Sequence, residues 1–186
     1  MLPNEPVNEA SSSFKGFICV GLLMENGCSM IDDAPGVYLI LRHSTEPPIF
    51  LEKGTGGWFK GIDPNVSMGV LMDKWVEGTE IMYIGKAGTS LRKRLRTYMR
   101  FGDGIDAPHK GGRYIWQLAD SRELRVCWKA LPAAVNSEMV EMLMIGKFLD
   151  KYGKLPFANI AYKKVNIPDN LEGELVLIIN QTMSIL

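Results

Sequence analysis

Two tyrosines stand in short apolar segments whose composition is typical of strands. Tyr38 lies in GVYLILR and Tyr83 lies in EIMYIGKA. If these segments pair in one sheet, both phenols can point to the same face. The pKa of a phenol is about 10, and positive charge on Lys86 and Arg94 would favour the phenolate form. The pair is therefore a candidate for proton transfer, although a tyrosine in a core strand is commonly a packing residue.

A basic helix is predicted over residues 91–100. Leu91 and Leu95 mark its buried face at a spacing of four residues. Arg94 and Tyr98 fall at the border of that face, where a charge and a hydroxyl group can point into a cleft. The outward-facing basic residues either position a phosphate or only keep the helix soluble. These residues are Arg92, Lys93, Arg96 and Arg100.

Basic charge is concentrated in one stretch, although the whole chain has a formal net charge of zero. Residues 86–113 hold eight Lys or Arg side chains against two Asp side chains. Such a patch on an otherwise acidic body is typical of a phosphate-binding face, but a solvated helix face has the same composition. Lys110 and Arg113 extend the patch. His109 beside them is predicted to shuttle a proton or contact phosphate, unless it is an ordinary surface histidine.

Glu141 is the carboxylate with the most unusual sequence surroundings. It belongs to an apolar-rich helix predicted over residues 138–151. A carboxylate beside an apolar stripe needs a cation or a metal as its partner. The alternative is a glutamate exposed on the flank of the helix. Glu138, three residues earlier, suits the first turn of a helix, where the helix dipole favours an acid.

Together, these residue types fit the hydrolysis of a phosphodiester bond. The reaction needs an activated water, positive charge on the non-bridging oxygens and stabilisation of the leaving oxygen. Tyrosine with lysine, arginine, and a divalent ion held by a carboxylate can supply these three functions in turn.

Three strands and two helices would position these side chains. Strands are predicted over 36–42, 80–87 and 123–131, and helices over 91–100 and 138–151. This order predicts an α+β fold with a small three-stranded central sheet flanked by helices. Ser90 is the predicted N-cap of the first helix. The apolar segment 14–24 is too short for its pattern to distinguish a strand from a helical turn.

One domain is expected over residues 14–186, after a flexible tail at 1–13. Residues 43–80, rich in Gly and Pro, form an insertion between the first two core strands, and residues 161–186 form a C-terminal extension. No apolar run is long enough to span a membrane, so we expect no membrane partner. The three cysteines lack a CxxC spacing, which favours buried thiols in a reducing cytoplasm over a disulfide framework or a zinc cluster.

The segments GVY (36–38) and YIGKA (83–87), followed by LRKRLRTY (91–98), resemble the two halves of the GIY-YIG nuclease signature. The second half is similar to the incision domain of bacterial excision-repair nucleases. The helix that carries Glu141, and Asn159 after it, resemble the family's glutamate helix and its terminal Pro–Asn element. The resemblance implies a single GIY-YIG-like domain with an antiparallel sheet, acting as a divalent-metal-dependent endonuclease on DNA.

The resemblance also implies a role for each matching residue. Tyr83 would be the general base or its relay to the attacking water, and Tyr38 would assist it or position the phosphate. Lys86 would lower the phenol pKa or bind phosphate. The remaining basic residues would bind DNA. They are Arg92, Lys93, Arg96, Arg100, Lys110 and Arg113.

Five further residues receive implied roles. Arg94 would stabilise charge in the transition state, and Tyr98 would contact the phosphate. Glu141 would hold the one Mg²⁺ or Mn²⁺ ion of each site, and Asn159 would orient the groups behind the site. His109 has no place in the minimal motif, but some restriction-enzyme members use a histidine near this region.

The sequence also departs from the family pattern. The family usually joins its first two strands by a short hairpin, whereas here the insertion separates them. It could read DNA, form a dimer contact or cap the site. The compact chain favours a restriction or mobile-element type, which needs its own DNA contacts or a homodimer. The alternatives are a nucleic-acid-binding module that does not cut, and a protein-interaction domain on the same fold.

Overall fold

The computed structural model describes residues 14–109 and 111–164. The predicted tail at 1–13, Lys110 and most of the predicted extension at 161–186 lie outside the described residues. The described part contains strands and helices in an alternating order, with two short 3₁₀ turns at Phe59–Gly61 and Arg113–Gln117. In chain order the strands and helices are β1 (Lys15–Cys19), α1 (Val20–Glu25), β2 (Gly36–Leu41), α2 (Met68–Lys74), β3 (Ile81–Ala87), α3 (Leu91–Gly102), β4 (Arg125–Ala130) and α4 (Ser137–Tyr152).

Four strands form one antiparallel sheet in the order β1-β4-β2-β3. The α+β class and the three predicted strands, which correspond to β2, β3 and β4, are confirmed. The prediction of only three strands is wrong, because β1 carries no strand pattern in its sequence. None of its residues is buried, and a bulge between Gly16 and Ile18 interrupts its pairing with β4. Gly16 has a φ of +101°, and a Cβ there would come within 2.1 Å of the Trp128 ring.

The sheet separates two apolar cores. On one face, Tyr38 and Tyr83 pack together with the buried side of α3. On the other face, Val37 and Leu39 pack against the buried side of α4. Because side chains alternate along a strand, successive residues of β2 enter opposite cores, and the whole of β2 is buried. The segment GVYLIL is thus the central strand that fixes both helices.

Side chains cap the two predicted helices at their starts. Ser90 precedes α3 and accepts a hydrogen bond from the N–H of Lys93, as predicted. The Ser90 hydroxyl also bonds to Asp33 in the loop before β2. Asn136 caps α4, which ends at Gly153 with a φ of +69°. These caps fix where the residues of α3 and α4 stand relative to the sheet.

The insertion packs against the 3₁₀ turn Arg113–Gln117. The buried Gln117 side chain accepts a hydrogen bond from the N–H of Val66 at 2.9 Å. It donates to the carbonyl oxygens of Leu51 and Val66, each at 3.0 Å. One side chain therefore joins two distant parts of the insertion to the body of the domain.

The start of the insertion pairs with the segment after the 3₁₀ turn Arg113–Gln117 through a single bridge, between Phe50 and Leu118. Too few neighbouring residues pair at this point to extend the bridge into a strand.

The three cysteines are free thiols. Two of them are buried, as predicted, but Cys19 is exposed because it ends the unburied strand β1. In residues 14–109 and 111–164, no helix combines the length and apolar character that crossing a bilayer requires.

Candidate active site

Tyr38 and Tyr83 lie on the same face of the sheet, as expected from their strands. In the pairing of β2 with β3, Tyr38 stands opposite Gly85 and Ile40 stands opposite Tyr83. The two phenol rings meet edge to face, with centroids 6.0 Å apart. A Cβ on Gly85 would come within 2.6 Å of the Tyr38 hydroxyl oxygen. The glycine of YIG therefore leaves the space that the phenol pair occupies.

Burial raises the pKa of both phenols. Burial is the largest influence on the pKa of Tyr38, and it holds the pKa of Tyr83 well above 10. The positive charge of Arg94 lowers both pKa values, but by less than burial raises them. Arg94 favours phenolate, as expected, but the loss of hydration outweighs its charge. Lys86 is not among the groups that shift either pKa. Arg94 and Tyr83 lie close enough to the Tyr38 hydroxyl group to affect its pKa. However, none of the described residues makes a hydrogen bond of good geometry with this hydroxyl group. Both phenols are neutral near pH 7.

Lys86, Arg94 and Glu141 converge on one open cleft of about 460 Å³. Lys86 comes from β3, Arg94 from α3 and Glu141 from α4, so the cleft lies where these three elements meet. Lys93 and Thr97 of α3 add to its polar lining. No described residue of the insertion lines this cleft. The insertion, as described, does not cap it.

Burial also raises the pKa of Glu141, to about 7, against the opposing influence of Lys86. Glu141 is only 8% exposed, so the alternative of a glutamate on the exposed flank of α4 is wrong. Lys86 Nζ lies 2.6 Å from Glu138 Oε1. Arg94 is partly buried and has no ion pair within the described part of the chain. The cleft therefore offers an anionic ligand a guanidinium group that lies beside the Tyr38 phenol and has no carboxylate partner among the described residues.

Glu141 is also the residue of the cleft that suits a divalent cation. Among the described residues that line the cleft, it is the only carboxylate. Residues 14–109 and 111–164 contain no group of three or more His, Cys, Asp or Glu side chains that could hold a metal. Mg²⁺ usually keeps several waters and takes one or two carboxylates together with substrate phosphate oxygens. One carboxylate in a cleft that also holds Lys86 and Arg94 fits that donor set, with substrate phosphate oxygens completing it.

Asn159 holds the chain against the outer edge of β3. Its side-chain oxygen accepts a hydrogen bond from the N–H of Ile84 at 3.0 Å, and its amide donates to the Ile84 carbonyl at 2.9 Å. The N–H of Ala158 donates to the carbonyl of Met82 at 2.9 Å. Ile84 lies between Tyr83 and the glycine of YIG. Asn159 thus fixes the strand that carries Tyr83, which agrees with its predicted orienting role.

Tyr98 and His109 lie behind the cleft rather than in it. The Tyr98 hydroxyl donates to the carbonyl of Gly112 at 2.9 Å, and its ring centroid is 4.3 Å from that of His109. His109 is 1% exposed, so it is not a surface histidine. Neither side chain lines the cleft. Their positions do not support the predicted phosphate contact of Tyr98 or the predicted proton-shuttle role of His109.

The predicted DNA-binding residues divide into two groups. Lys93 lines the cleft, and the exposed Arg100 lies beyond it on α3. Arg92 and Arg96 instead donate hydrogen bonds to the carbonyls of Ile31 (2.8 Å) and Gly27 (2.9 Å), so they brace α3 against the turn after α1.

Two predicted DNA-binding residues lie further along the chain. Arg113 is partly buried over the Tyr114 ring, with its guanidinium carbon 5.5 Å from the ring centroid. Lys110 lies outside the described residues.

A larger cavity, of about 520 Å³, lies at the base of the insertion. Arg42 in its lining bonds to Asp120 at 2.6 Å, and His43 lies 2.8 Å from Glu80. Arg42 and His43 therefore already have acidic partners, and none of the candidate catalytic residues contributes to the cavity. Size alone does not make it the better candidate.

Sequence reasoning missed three contributors to the site. Glu138 pairs with Lys86, although its position suggested only a favourable first-turn acid. Thr97 lines the cleft, and its spacing of three residues from Arg94 was the available signal. A Cβ on Gly111 would come within 2.5 Å of the Tyr83 hydroxyl oxygen. No local pattern indicates that the Gly-Gly pair of HKGGR covers this phenol.

Comparisons with protein-family models, curated proteins and solved structures found no match to this chain. The resemblance to the GIY-YIG nucleases therefore stays a prediction from the sequence blocks alone.

Proposed function

We propose that this protein is a GIY-YIG-type endonuclease that hydrolyses DNA phosphodiester bonds with one Mg²⁺ or Mn²⁺ ion per site. The observation that carries the proposal is the convergence of Lys86, Arg94 and Glu141 on one cleft. Tyr38 and Tyr83 do not line this cleft, but they lie behind it, close enough for Arg94 and Glu141 to affect the pKa of both phenols. These residues come from separate blocks of the sequence. A basic surface helix alone would not bring a buried carboxylate and a guanidinium group to one cleft.

Each residue has a distinct task in this proposal. Arg94 and Lys86 bind the non-bridging phosphate oxygens, and the charge on Arg94 stabilises the transition state. A neutral phenol can relay a proton, because its oxygen accepts one hydrogen bond while its O–H donates another. Tyr83 is the proposed relay for the attacking water, with Tyr38 beside it. The divalent ion, held by Glu141, would add positive charge at the phosphate.

The first test is nicking of a supercoiled plasmid with Mg²⁺ or Mn²⁺, with EDTA as the metal-free control. The proposal predicts nicking by the wild type that stops in EDTA and is lost in Glu141→Gln. Asp150→Asn is the matched control, because Asp150 is an exposed acid on the same helix. Nicking that survives in Glu141→Gln at the wild-type level would overturn the proposal.

A DNA-binding module without cleavage is the second candidate. The burial of both phenols favours it, because Tyr38 is 0% exposed and Tyr83 is 5% exposed. Salt-sensitive DNA binding without nicking under either divalent ion would select this candidate.

A homodimer forms part of the proposal, since cutting both strands of a duplex at one locus needs two sites. Two-fold symmetry is the commonest way to supply them. Sedimentation of the protein with and without duplex DNA measures this directly. A monomer that makes double-strand breaks in a single binding event would contradict it.

A further inference from the structure

We propose that the insertion and the loop at His109 form a second subsite, which takes one pyrimidine base of the nucleic acid bound in the cleft. This inference rests on the proposed function. Phe59, Ile62 and Pro64 of the insertion face Phe101 of α3 and His109 across a small cavity. Asp63 also lines it, and its carboxylate accepts hydrogen bonds from the backbone and side chain of Asn65. The subsite is separate from the cleft, because the two share no lining residue.

The size and lining of this cavity suit a single six-membered aromatic ring. Its volume is about 110 Å³. A buried cavity of about 150 Å³ holds benzene, so this space is on the scale of one ring and small for a fused pair. The Phe59 and Phe101 side chains supply apolar faces against which a base can stack. Phe59 is only partly buried, so it can move to admit a ring.

Polar groups beside the cavity lack partners. Both ring nitrogens of His109 and Nε of Arg113 are buried without a hydrogen bond to the described residues. The Gly111 backbone lies near enough to affect the pKa of His109, but it makes no hydrogen bond of good geometry with either nitrogen. Burial lowers the pKa of His109 well below 6.5, so the ring is neutral and has one donor and one acceptor.

A base edge would satisfy these groups. An unpaired buried polar atom costs roughly 1–3 kcal/mol, which a ligand with complementary donors and acceptors recovers. Pyrimidine edges carry both kinds of group side by side. Aromatic stacking alone would accept any base. Hydrogen bonds from the base edge to His109 and Arg113 would favour a base whose donors and acceptors match theirs.

The position of the cavity on α3 matches the spacing of a nucleotide chain. Phe101 is seven residues after Arg94 in α3, about two turns, so both side chains stand on the same side of the helix. Two turns span roughly 10 Å, which is about three nucleotide steps of 3.4 Å. A strand whose phosphate lies at Arg94 can therefore place a base about three nucleotides away into the cavity.

The test is an abasic-site scan on a DNA duplex that the wild type cleaves, after its cleaved phosphate has been mapped. Binding is measured by fluorescence anisotropy with Ca²⁺ in place of Mg²⁺. A base can enter the cavity only after it leaves its pair, so the scanned position is placed opposite an abasic sugar in every duplex, which removes the cost of unpairing. At one pyrimidine position about three nucleotides from the cleaved phosphate, removal of the base should then weaken wild-type binding roughly tenfold, the scale of one stacked base. A purine at that position should weaken binding to a similar extent.

Two variants connect that effect to the cavity. Phe59→Ala should bind the duplexes with and without this base equally, and His109→Gln should lose the preference for a pyrimidine. Met72→Ala is the control, because Met72 is 65% exposed on α2 of the same insertion. Circular dichroism melts verify that each variant folds, and Phe59→Ala remains the deciding variant if His109→Gln unfolds.

The outcomes separate this inference from the proposed function. A wild type that neither binds nor nicks DNA removes the proposed function itself. A wild type that nicks DNA but shows no position-specific abasic effect overturns the subsite, as does an effect that persists unchanged in Phe59→Ala. In those cases the cavity holds only water.

Discussion

At the residue scale, burial sets the protonation of Glu141 and the tyrosines more strongly than neighbouring cations do. Glu141 has two cations nearby, yet its pKa is raised to about 7. The tyrosines follow the same rule, with raised pKa values beside Arg94. Sequence reasoning identified the charges but could not weigh them, because burial of a particular side chain depends on how β3, α3 and α4 meet. Lys86, Arg94 and Glu141, which line the cleft, could be selected from the sequence, but their burial and the resulting protonation could not.

Glu141→Gln should be more stable than the wild type above pH 7 and nearly equal to it near pH 4. Folding raises the pKa of this carboxyl group from 4.5 to about 7. Its stabilising contribution is therefore complete below pH 4.5 and lost as the pH rises through 7. Glutamine does not titrate, so the variant should gain on the order of 3 kcal/mol at about pH 8. Urea unfolding at both pH values measures this, and a less stable variant at about pH 8 would contradict it.

Gly85→Ala should destabilise the fold and disturb the phenol pair. Its new Cβ would lie within 2.6 Å of the Tyr38 hydroxyl oxygen and 2.8 Å of a Tyr83 ring carbon, so both rings have to shift. Overpacking of this kind costs roughly 1–3 kcal/mol. Gly88→Ala is the matched control, because a Cβ there meets nothing within 4 Å. Equal unfolding free energies for the two variants would show that Gly85 is not needed for packing.

At the element scale, the strongly patterned segments were predictable and the irregular ones were not. β2 is buried along its whole length, and α3 has clear apolar spacing and an N-cap, so both were predicted closely. β1 was missed because a bulge and a positive φ at Gly16 remove the regular alternation. The course of the insertion depends on Gln117, which lies far from it in sequence. Long-range polar contacts of this kind leave no local pattern.

Asn159→Ala should loosen the outer edge of β3. The substitution removes two hydrogen bonds and leaves the N–H and carbonyl groups of the buried Ile84 without these partners. Unpaired buried groups of this kind cost roughly 1–3 kcal/mol, measurable by chemical denaturation. Asn26→Ala is the control, because the Asn26 amide donates one exposed hydrogen bond to Leu22. Similar losses in both variants would argue against a special role of Asn159 at this edge.

At the scale of the whole molecule, charge distribution matters more than net charge. The formal net charge is zero, but residues 86–113 carry an excess of basic side chains along α3 and the loop after it. Only part of this basic charge is available to bind DNA, because the Arg92 and Arg96 side chains donate hydrogen bonds to backbone carbonyls of the turn after α1. Arg94 and Lys93 face the cleft instead. The proposed nuclease therefore depends on a local positive cleft within a neutral protein.

The rate of DNA cleavage by Arg94→Ala, compared with Arg96→Ala, tests this central proposal most directly. The two residues lie on the same helix and carry the same charge, but only Arg94 lines the cleft, while Arg96 donates to the carbonyl of Gly27. Under single-turnover conditions with saturating protein and Mg²⁺, Arg94→Ala should cleave roughly 10²–10³-fold more slowly than the wild type. Arg96→Ala should stay close to the wild-type rate. Wild-type cleavage by Arg94→Ala, or an equal loss in both variants, would contradict the assignment of the cleft as the active site.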